Sequence, residues 1–165
     1  MTGSTWAFPP DAVPRMEGIQ SRIDTEIKKA ILREELRVQT LLKTKYLSGD
    51  PIKRRTGNLS RSLHIDPTSI SQFTGYQGSV FFGEEAPYAY GLEVGNPPHV
   101  IRAKKAKSLH FFAGGEELFR HEVDHPGNPP FLFVQHALDE TAEQFFKEIG
   151  DGVSRAISLK EESTP

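Results

Sequence analysis

The chain has 165 residues, 25% of them charged, and a formal net charge of −2, which is typical of one soluble domain with a single core. The absence of cysteine excludes disulfides, thiolate catalysis and sulfur-bound metals. No run approaches the ~18 apolar residues of a membrane span. The first 14 residues lack a secretory signal pattern, so we expect synthesis in the cytosol and no membrane insertion.

The charges are unevenly distributed along the chain. Residues 1–107 contain 16 Lys and Arg against 11 Asp and Glu, whereas residues 108–165 contain 4 against 11. This asymmetry favours head-to-tail self-association, in which opposite faces meet at every joint. The alternative is that the charges intermix on the folded surface.

Residues 1–13 are rich in Gly, Ser, Thr and Pro and show almost no periodicity, so we expect a flexible N-terminal arm. Trp6 and Phe8 are its large side chains. Both are candidate interface residues, because an aromatic arm either packs on its own domain or docks on a neighbouring subunit. The sequence does not rank these two alternatives.

A long amphipathic helix is predicted over residues 14–48. Pro14 suits a first helical turn, and Gly49 followed by Pro51 is a stop signal. We expect its apolar face to pack on the core rather than in a coiled coil. This face contains Ile19, Ile23, Ile27, Ile31, Val38, Leu41 and Leu42.

Residues 53–133 are predicted to be β-rich with short helices. Weak strands at 64–65 and 70–73 precede a stronger one at 76–83, and an antiparallel pair is expected here. Thr56 is a candidate cap for a short helix. A further helix is predicted over 87–95, with Tyr88, Leu92 and Val94 facing the sheet.

A mobile basic loop is predicted between the strand around Val100 and the strand around Leu109. We expect it to form a hairpin tip or loop that a partner orders on contact. Its four cations are candidate subunit or partner contacts: Arg102, Lys104, Lys105 and Lys107.

A C-terminal helix is predicted over residues 130–158, followed by a frayed tail at 159–165. Its apolar residues recur every three to four positions from Val134 to Ile157. Gly150 and Gly152 predict a bend or early ending. The whole chain is therefore expected to be a single α+β domain, with one antiparallel sheet of about four strands packed against two long helices.

The segment His121-Glu122-Val123-Asp124-His125 matches the H-E-x-x-H signature of zinc proteases, with Glu143 as a conceivable third ligand. Pro126 disfavours helical backbone at His125, and in a strand the two histidines lie about 13 Å apart at ~3.3 Å per residue. A zinc hydrolase is therefore an alternative, not the leading hypothesis. Each of the six histidines is expected to bond to a backbone carbonyl or face solvent.

No other catalytic or cofactor motif is present. The chain lacks a G-x-S-x-G elbow, a Walker loop and a G-x-G-x-x-G turn, and its carboxylate pairs lie in polar turns. We expect no enzyme activity and no cofactor. A nucleic-acid-binding module remains a third hypothesis, resting on Lys53, Arg54, Arg55, Lys104 and Lys105.

Five short segments between residues 53 and 140 occur in an order and spacing that resembles the minor tail component family of long-tailed phages, described as head-tail joining or tail completion proteins. The segments are Thr56-Gly57-Asn58-Leu59, Tyr88-Ala89 with Glu93-Val94-Gly95, Pro98-His99-Val100-Ile101, Lys107-Ser108-Leu109, and Val123-Asp124-His125-Pro126-Gly127 with Pro130-Phe131-Leu132.

The resemblance implies a ring-forming structural protein of the virion neck, made in the host cytoplasm. Connector, tail terminator or tail tube subunits would be its neighbours, and DNA would pass through the lumen without sequence specificity. The candidate turn scaffold is Gly57, Gly95, Pro98, Pro126, Gly127 and Phe131. The chain departs from the family at Asp124, where a second histidine is common, and in a shortened link over 127–131.

Overall fold

The computed structural model describes residues 10–49, 52, 56–71, 75–104 and 106–158, with backbone alone at 67–71. Several predictions fall outside the described residues: the arm contacts Trp6 and Phe8, the basic residues 53–55, Lys105 and the tail 159–165. Within the described residues the chain is α+β with two long helices, which confirms the predicted class.

The elements follow in chain order. They are α1 (Ala12–Leu41), continued by a π-helical turn (Leu42–Tyr46), α2 (Asn58–Arg61), β1 (Leu63–Ser71), β2 (Gly75–Phe82), α3 (Ala89–Val94), β3 (His99–Arg102), β4 (Leu109–Ala113), β5 (Glu116–Arg120), β6 (Glu122–His125) and α4 (Phe133–Ser158).

Helices α1 and α4 pack along each other and form one wall of the core. The C-terminal half of α1 carries the buried residues, with Val38 and Leu42 almost fully enclosed, whereas Ile19 and Ile23 are half-buried. Phe133 at the start of α4 is fully buried and meets the ring of Phe82 edge to face. Such aromatic packing fixes the position of β2 on the helices.

Of the two alternatives predicted near Gly150, a bend or an early ending, the early ending is wrong, because α4 continues to Ser158. Gly152 is buried where the two long helices touch, and a Cβ there would lie 3.1 Å from the Cβ of Glu26. The absence of a side chain at Gly152 lets the two helices approach closely, and this packing offsets the low helix propensity of glycine. Neither long helix, nor a shorter one in the described ranges, is long and apolar enough to cross a membrane.

The single sheet of about four strands is replaced, in the described residues, by three two-stranded antiparallel sheets. Strands β1 and β2 pair as predicted, with Leu63 opposite Phe82 and a bulge between Asp66 and Ser69. Strand β3 pairs with β6, and β4 pairs with β5. The second and third sheets are nested in sequence, because the β4–β5 hairpin lies between the two strands of the other pair.

The short elements follow the predicted turns with two corrections. The N-cap of α2 is Gly57, at φ +76°, and not the predicted Thr56. The hydroxyl of Thr56 accepts the N–H of Asn58 at 3.3 Å from one residue further out. Helix α3 ends at Gly95 as predicted. Its buried face is formed by Ala89 and Leu92, whereas Tyr88 and Val94 are about half exposed because they lie off that face. The exposed pair was predicted to face the sheet.

Candidate assembly surface

Residues 99–125 form a β ribbon, the two nested strand pairs β3–β6 and β4–β5. One side of the ribbon runs almost continuously from Glu116 to His125, interrupted only by a bend at His121. The other side is interrupted after Ala103, whose N–H still donates to the carbonyl oxygen of His121 at 3.1 Å, and it resumes with β4 at Leu109. Gly114 and Gly115 make the tight turn at its tip, both with positive φ.

Asn96 and Asn128 close the base of the β ribbon. Each backbone N–H donates to the other residue's carbonyl oxygen at 3.0 Å, and Asn96 Nδ2 donates to Asn128 Oδ1 at 2.8 Å. Both side-chain amides also donate to the carbonyl oxygen of Gly91 in α3. These bonds tie the ribbon to the helical part of the molecule.

Two glycines make this close approach possible. Gly127 has φ +80°, and a Cβ added there would lie 2.2 Å from Asn96 O. Gly95 has φ +81°, and a Cβ there would lie 2.8 Å from the backbone nitrogen of Pro130. Because both contacts are with backbone atoms, a side chain at either position is excluded without movement of the main chain.

Glu93 anchors the first turn of α4. Its carboxylate accepts N–H bonds from Val134 at 3.0 Å and Gln135 at 3.1 Å. Those amides have no partner within the helix, and the positive end of the helix dipole favours a carboxylate. Backbone bonds from Phe131 to Leu92 and from Leu132 to Glu93 hold the preceding segment in place.

Most of the predicted turn scaffold meets at this junction. Pro98 directly precedes β3 and Pro126 directly follows β6, so the two prolines flank the last ladder pair, His99 with His125. Gly95 and Gly127 lie beside them, and Phe131 packs against the core. Gly57 is separate and belongs to the start of α2.

The H-E-x-x-H segment is not helical, as predicted from Pro126. Residues 122–125 form β6 and His121 lies in the bend before it. The ring of His125 instead faces that of His99, with centroids 5.1 Å apart, and its Nδ1 accepts the N–H of Gly127. Among the residues that the structure describes, no three His, Asp or Glu side chains come together as a metal site.

An aromatic face covers one side of the β4–β5 hairpin; it consists of His110, Phe112 and Phe119. The rings of His110 and Phe119 stack 4.8 Å apart, and Phe112 lies 5.4 Å from His110. His110 Nε2 also contacts Glu117 Oε1 at 2.6 Å. Phe112 is 72% exposed and Phe119 is 56% exposed, so this face presents large apolar rings to solvent.

Of the two predicted alternatives, a hairpin tip or a loop, the tip is wrong for Arg102, Lys104 and Lys107, because β3 and β4 pair with other strands. Arg102 at the end of β3 donates to Glu122 across the ribbon at 3.0 Å. Lys104 and Lys107 are exposed in the loop 103–108 at the ribbon's side. Of the residues proposed for nucleic-acid binding, only Lys104 is described.

Part of the charge asymmetry is neutralised inside the molecule. Arg37 of α1 pairs with Glu148 of α4, and Lys45 in the π-helical turn pairs with Glu140 of α4. Arg155 of α4 also donates to Glu26 of α1 at 2.8 Å, but this pair does not reduce the asymmetry, because it joins an acidic residue of the basic part to a basic residue of the acidic part. Hydrogen bonds from Arg155 and Lys29 lower the pKa of Glu26 to about 2. The argument for self-association from net charge is correspondingly weaker.

A groove between α1, β2 and α4 was not predicted. It measures about 600 Å³ and has Glu35 among its lining residues. Glu35 is 4% exposed, and burial raises the pKa of its carboxyl group. The sequence held a signal for it, because Glu35 lies four residues after Ile31 on the apolar face of the predicted helix.

Comparisons of the chain with protein-family models, with curated proteins and with solved structures found no match. The resemblance to phage head-tail joining proteins therefore stays a prediction from the five segments quoted above.

Proposed function

We propose that this chain is a structural protein of the phage head-tail junction, which assembles into a ring through its β ribbon. The observation that carries the proposal is the aromatic face, where Phe112 and Phe119 are 72% and 56% exposed on adjacent strands. Exposed aromatic side chains in a cluster mark interfaces, because their burial supplies most of the binding energy there.

The ribbon architecture supports the same proposal. A two-stranded sheet is marginally stable alone, and the outer edges of its strands offer unpaired N–H and C=O groups to another chain. Neighbouring subunits that pack on the ribbon would stabilise it. The hydrogen bonds of Asn96 and Asn128 would then hold the helices in a fixed position relative to the packed ribbon.

The location proposed for the protein comes from the resemblance. It proposes a ring at the neck, with connector, tail terminator or tail tube subunits as neighbours and DNA passing through the lumen. Location in the virion, after synthesis in the host cytoplasm, follows from the same resemblance. The proposal assigns the chain no reaction and no cofactor.

Sedimentation of the purified protein tests the assembly step. We expect wild-type protein to self-associate with rising concentration, and the double variant Phe112→Ser with Phe119→Ser to need at least about tenfold more protein, since each aromatic anchor contributes ~1 kcal/mol or more. Met16→Ser is the matched control, because Met16 is also an exposed apolar residue, 67% exposed on α1. Equal association of all three proteins would contradict the proposal.

A further inference from the structure

The α1–β2–α4 groove is an apolar cleft with large exposed side chains on its rim. Phe146 is 69% exposed and Leu138 is 45% exposed, both on α4. Apart from Glu34 and Glu35, no charged residue in the part of the chain that the structure describes lines it. The described residues that line it include Ile31, Val38, Tyr76, Val80, Val134, Ala142 and Phe145.

Glu35 places one unpaired hydrogen-bond acceptor in this groove. Its Oε1 accepts the backbone N–H of Ser79 at 2.7 Å. Its Oε2 is buried and has no hydrogen-bond partner among the described residues. A buried carboxylate oxygen without a donor is costly, so an occupant with a large apolar body and one N–H donor suits the groove.

The arm residues 1–9 contain such a side chain. Trp6 is the only tryptophan of the chain, and an indole is a large apolar ring with one N–H donor and no acceptor. Phe8 follows two residues later, and residues 1–9 carry no Asp, Glu, Lys or Arg. The composition of this segment therefore matches the lining of the groove.

Chain length makes the contact intermolecular. Helix α1 rises about 35 Å between Ala12 and Glu35 at ~1.5 Å per residue. Trp6 lies six residues before Ala12, and a fully extended chain of six residues spans at most about 21 Å. Even with the arm fully extended, the Cα of Trp6 would thus remain roughly 14 Å from the Cα of Glu35 in the same molecule.

We propose that Trp6 of one copy occupies the α1–β2–α4 groove of the next copy, with its indole N–H directed to Glu35 and Phe8 against Phe146. This inference rests on the proposed ring and specifies a second contact within it. An arm that always reaches the next copy makes a head-to-tail link, which closes into a ring when the rotation between copies allows it.

Tryptophan fluorescence of the full chain tests this contact, because Trp6 is the sole indole reporter. The wild-type emission maximum is expected to move to shorter wavelength as concentration rises, in step with the mass measured by light scattering. In Phe146→Ser the shift is expected to need about tenfold more protein. Ile157→Ser is the matched control, an exposed apolar residue of the same helix outside the groove.

Leu138→Ser serves as a second groove variant, and circular dichroism checks that each variant is folded. Emission that stays at long wavelength while the mass rises would overturn the arm contact and leave the proposed ring through the β ribbon standing. Emission already at short wavelength at the lowest concentration, where the chain is a monomer, would place Trp6 on its own domain and also overturn the inference. A wild-type shift that both groove variants reproduce unchanged would do the same.

Discussion

Asn96 and Asn128 exchange backbone hydrogen bonds of 3.0 Å in both directions, although 31 residues separate them in the sequence. Their side-chain amides converge on the carbonyl oxygen of Gly91. This pair therefore joins three parts of the molecule: α3, the base of the β ribbon and the segment leading into α4. Substitutions beside it are expected to affect stability more than the exposure of the residues would indicate.

Gly127→Ala is expected to lower the free energy of unfolding by about 2–4 kcal/mol. A left-handed backbone costs a residue with a Cβ ~1–2 kcal/mol, and the added atom would lie 2.2 Å from Asn96 O, which forces the main chain to move. Urea unfolding followed by circular dichroism measures the change.

Gly114→Ala is the matched control for this substitution. Gly114 also has a positive φ of +63°, but nothing lies within 4 Å of an added Cβ. Only the backbone term of ~1–2 kcal/mol applies. Equal losses in both variants would show that close packing at Asn96 contributes nothing.

Glu93→Ala is expected to destabilise the protein by about 1–2 kcal/mol, because two N–H groups at the start of α4 lose their acceptor. Glu93→Gln retains one oxygen acceptor and should lose less. Thermal and urea unfolding measure both variants. Glu143→Ala, at an exposed position of the same helix, should change stability by no more than ~0.5 kcal/mol.

Glu35→Gln is expected to change how stability depends on pH. Burial raises the pKa of Glu35 above its ordinary 4.5 in the folded protein, so the folded state holds this proton to higher pH than the unfolded chain. The stabilisation is present below the unfolded pKa and is lost as pH rises through the folded pKa. The stability of Glu35→Gln relative to wild type should therefore increase between about pH 4 and about pH 8.

Urea unfolding of both proteins at the two pH values gives this difference directly. A difference that stays constant with pH would mean that the carboxyl group titrates alike in the folded and unfolded chains. A wild-type advantage that grows with pH would show that Glu35 is stabilised as a carboxylate instead.

Metal analysis separates the leading hypothesis from the zinc alternative. We expect no stoichiometric zinc in the purified protein, because His121 lies in a bend and His125 in an extended strand, so the two imidazoles do not share a helical turn as the H-E-x-x-H site requires. His121→Ala should leave the metal content unchanged. Stoichiometric zinc that this substitution removes would favour the hydrolase.

The two long helices were predictable because helical periodicity is set by apolar residues only three to four positions apart. The apolar stripe through Ile31, Val38 and Leu42 sets the helical period of α1, and its final turn at 42–46 is π-helical, ending before Gly49. The stripe of α4 predicted the second helix. Its start at Phe133 depends on a distant residue, the capping carboxylate of Glu93, which helical periodicity does not reveal.

The strand pairing was less predictable because partners lie far apart in sequence. Local apolar runs identified β3 and β4 as strands, but β3 pairs with β6 across a whole hairpin. Gly114-Gly115 between apolar runs was the available hairpin signal for β4 and β5. A hairpin predicted at Gly114-Gly115 would have placed the basic residues beside the ribbon and not at its tip.

The groove was missed for a different reason. Glutamates usually face solvent, yet Glu34 and Glu35 are buried, at 9% and 4% exposure. The spacing of Glu35 from Ile31 was a local signal, but it does not show that a strand covers this face. The burial of Glu35 depends on β2, where Gly78 brings the strand so close that an added Cβ would lie 2.5 Å from Ile31 Cγ2 and 2.6 Å from Glu35 Oε1. Only the tertiary structure brings this strand to that face of α1.

Cryo-electron microscopy of the intact particle, with this chain traced, tests the central claim most directly. We predict a closed ring of this chain between capsid and tail, with Phe112 and Phe119 of each copy covered by a neighbouring subunit. A particle without this chain at the neck, or one in which the β ribbon of every copy faces solvent, would contradict the account.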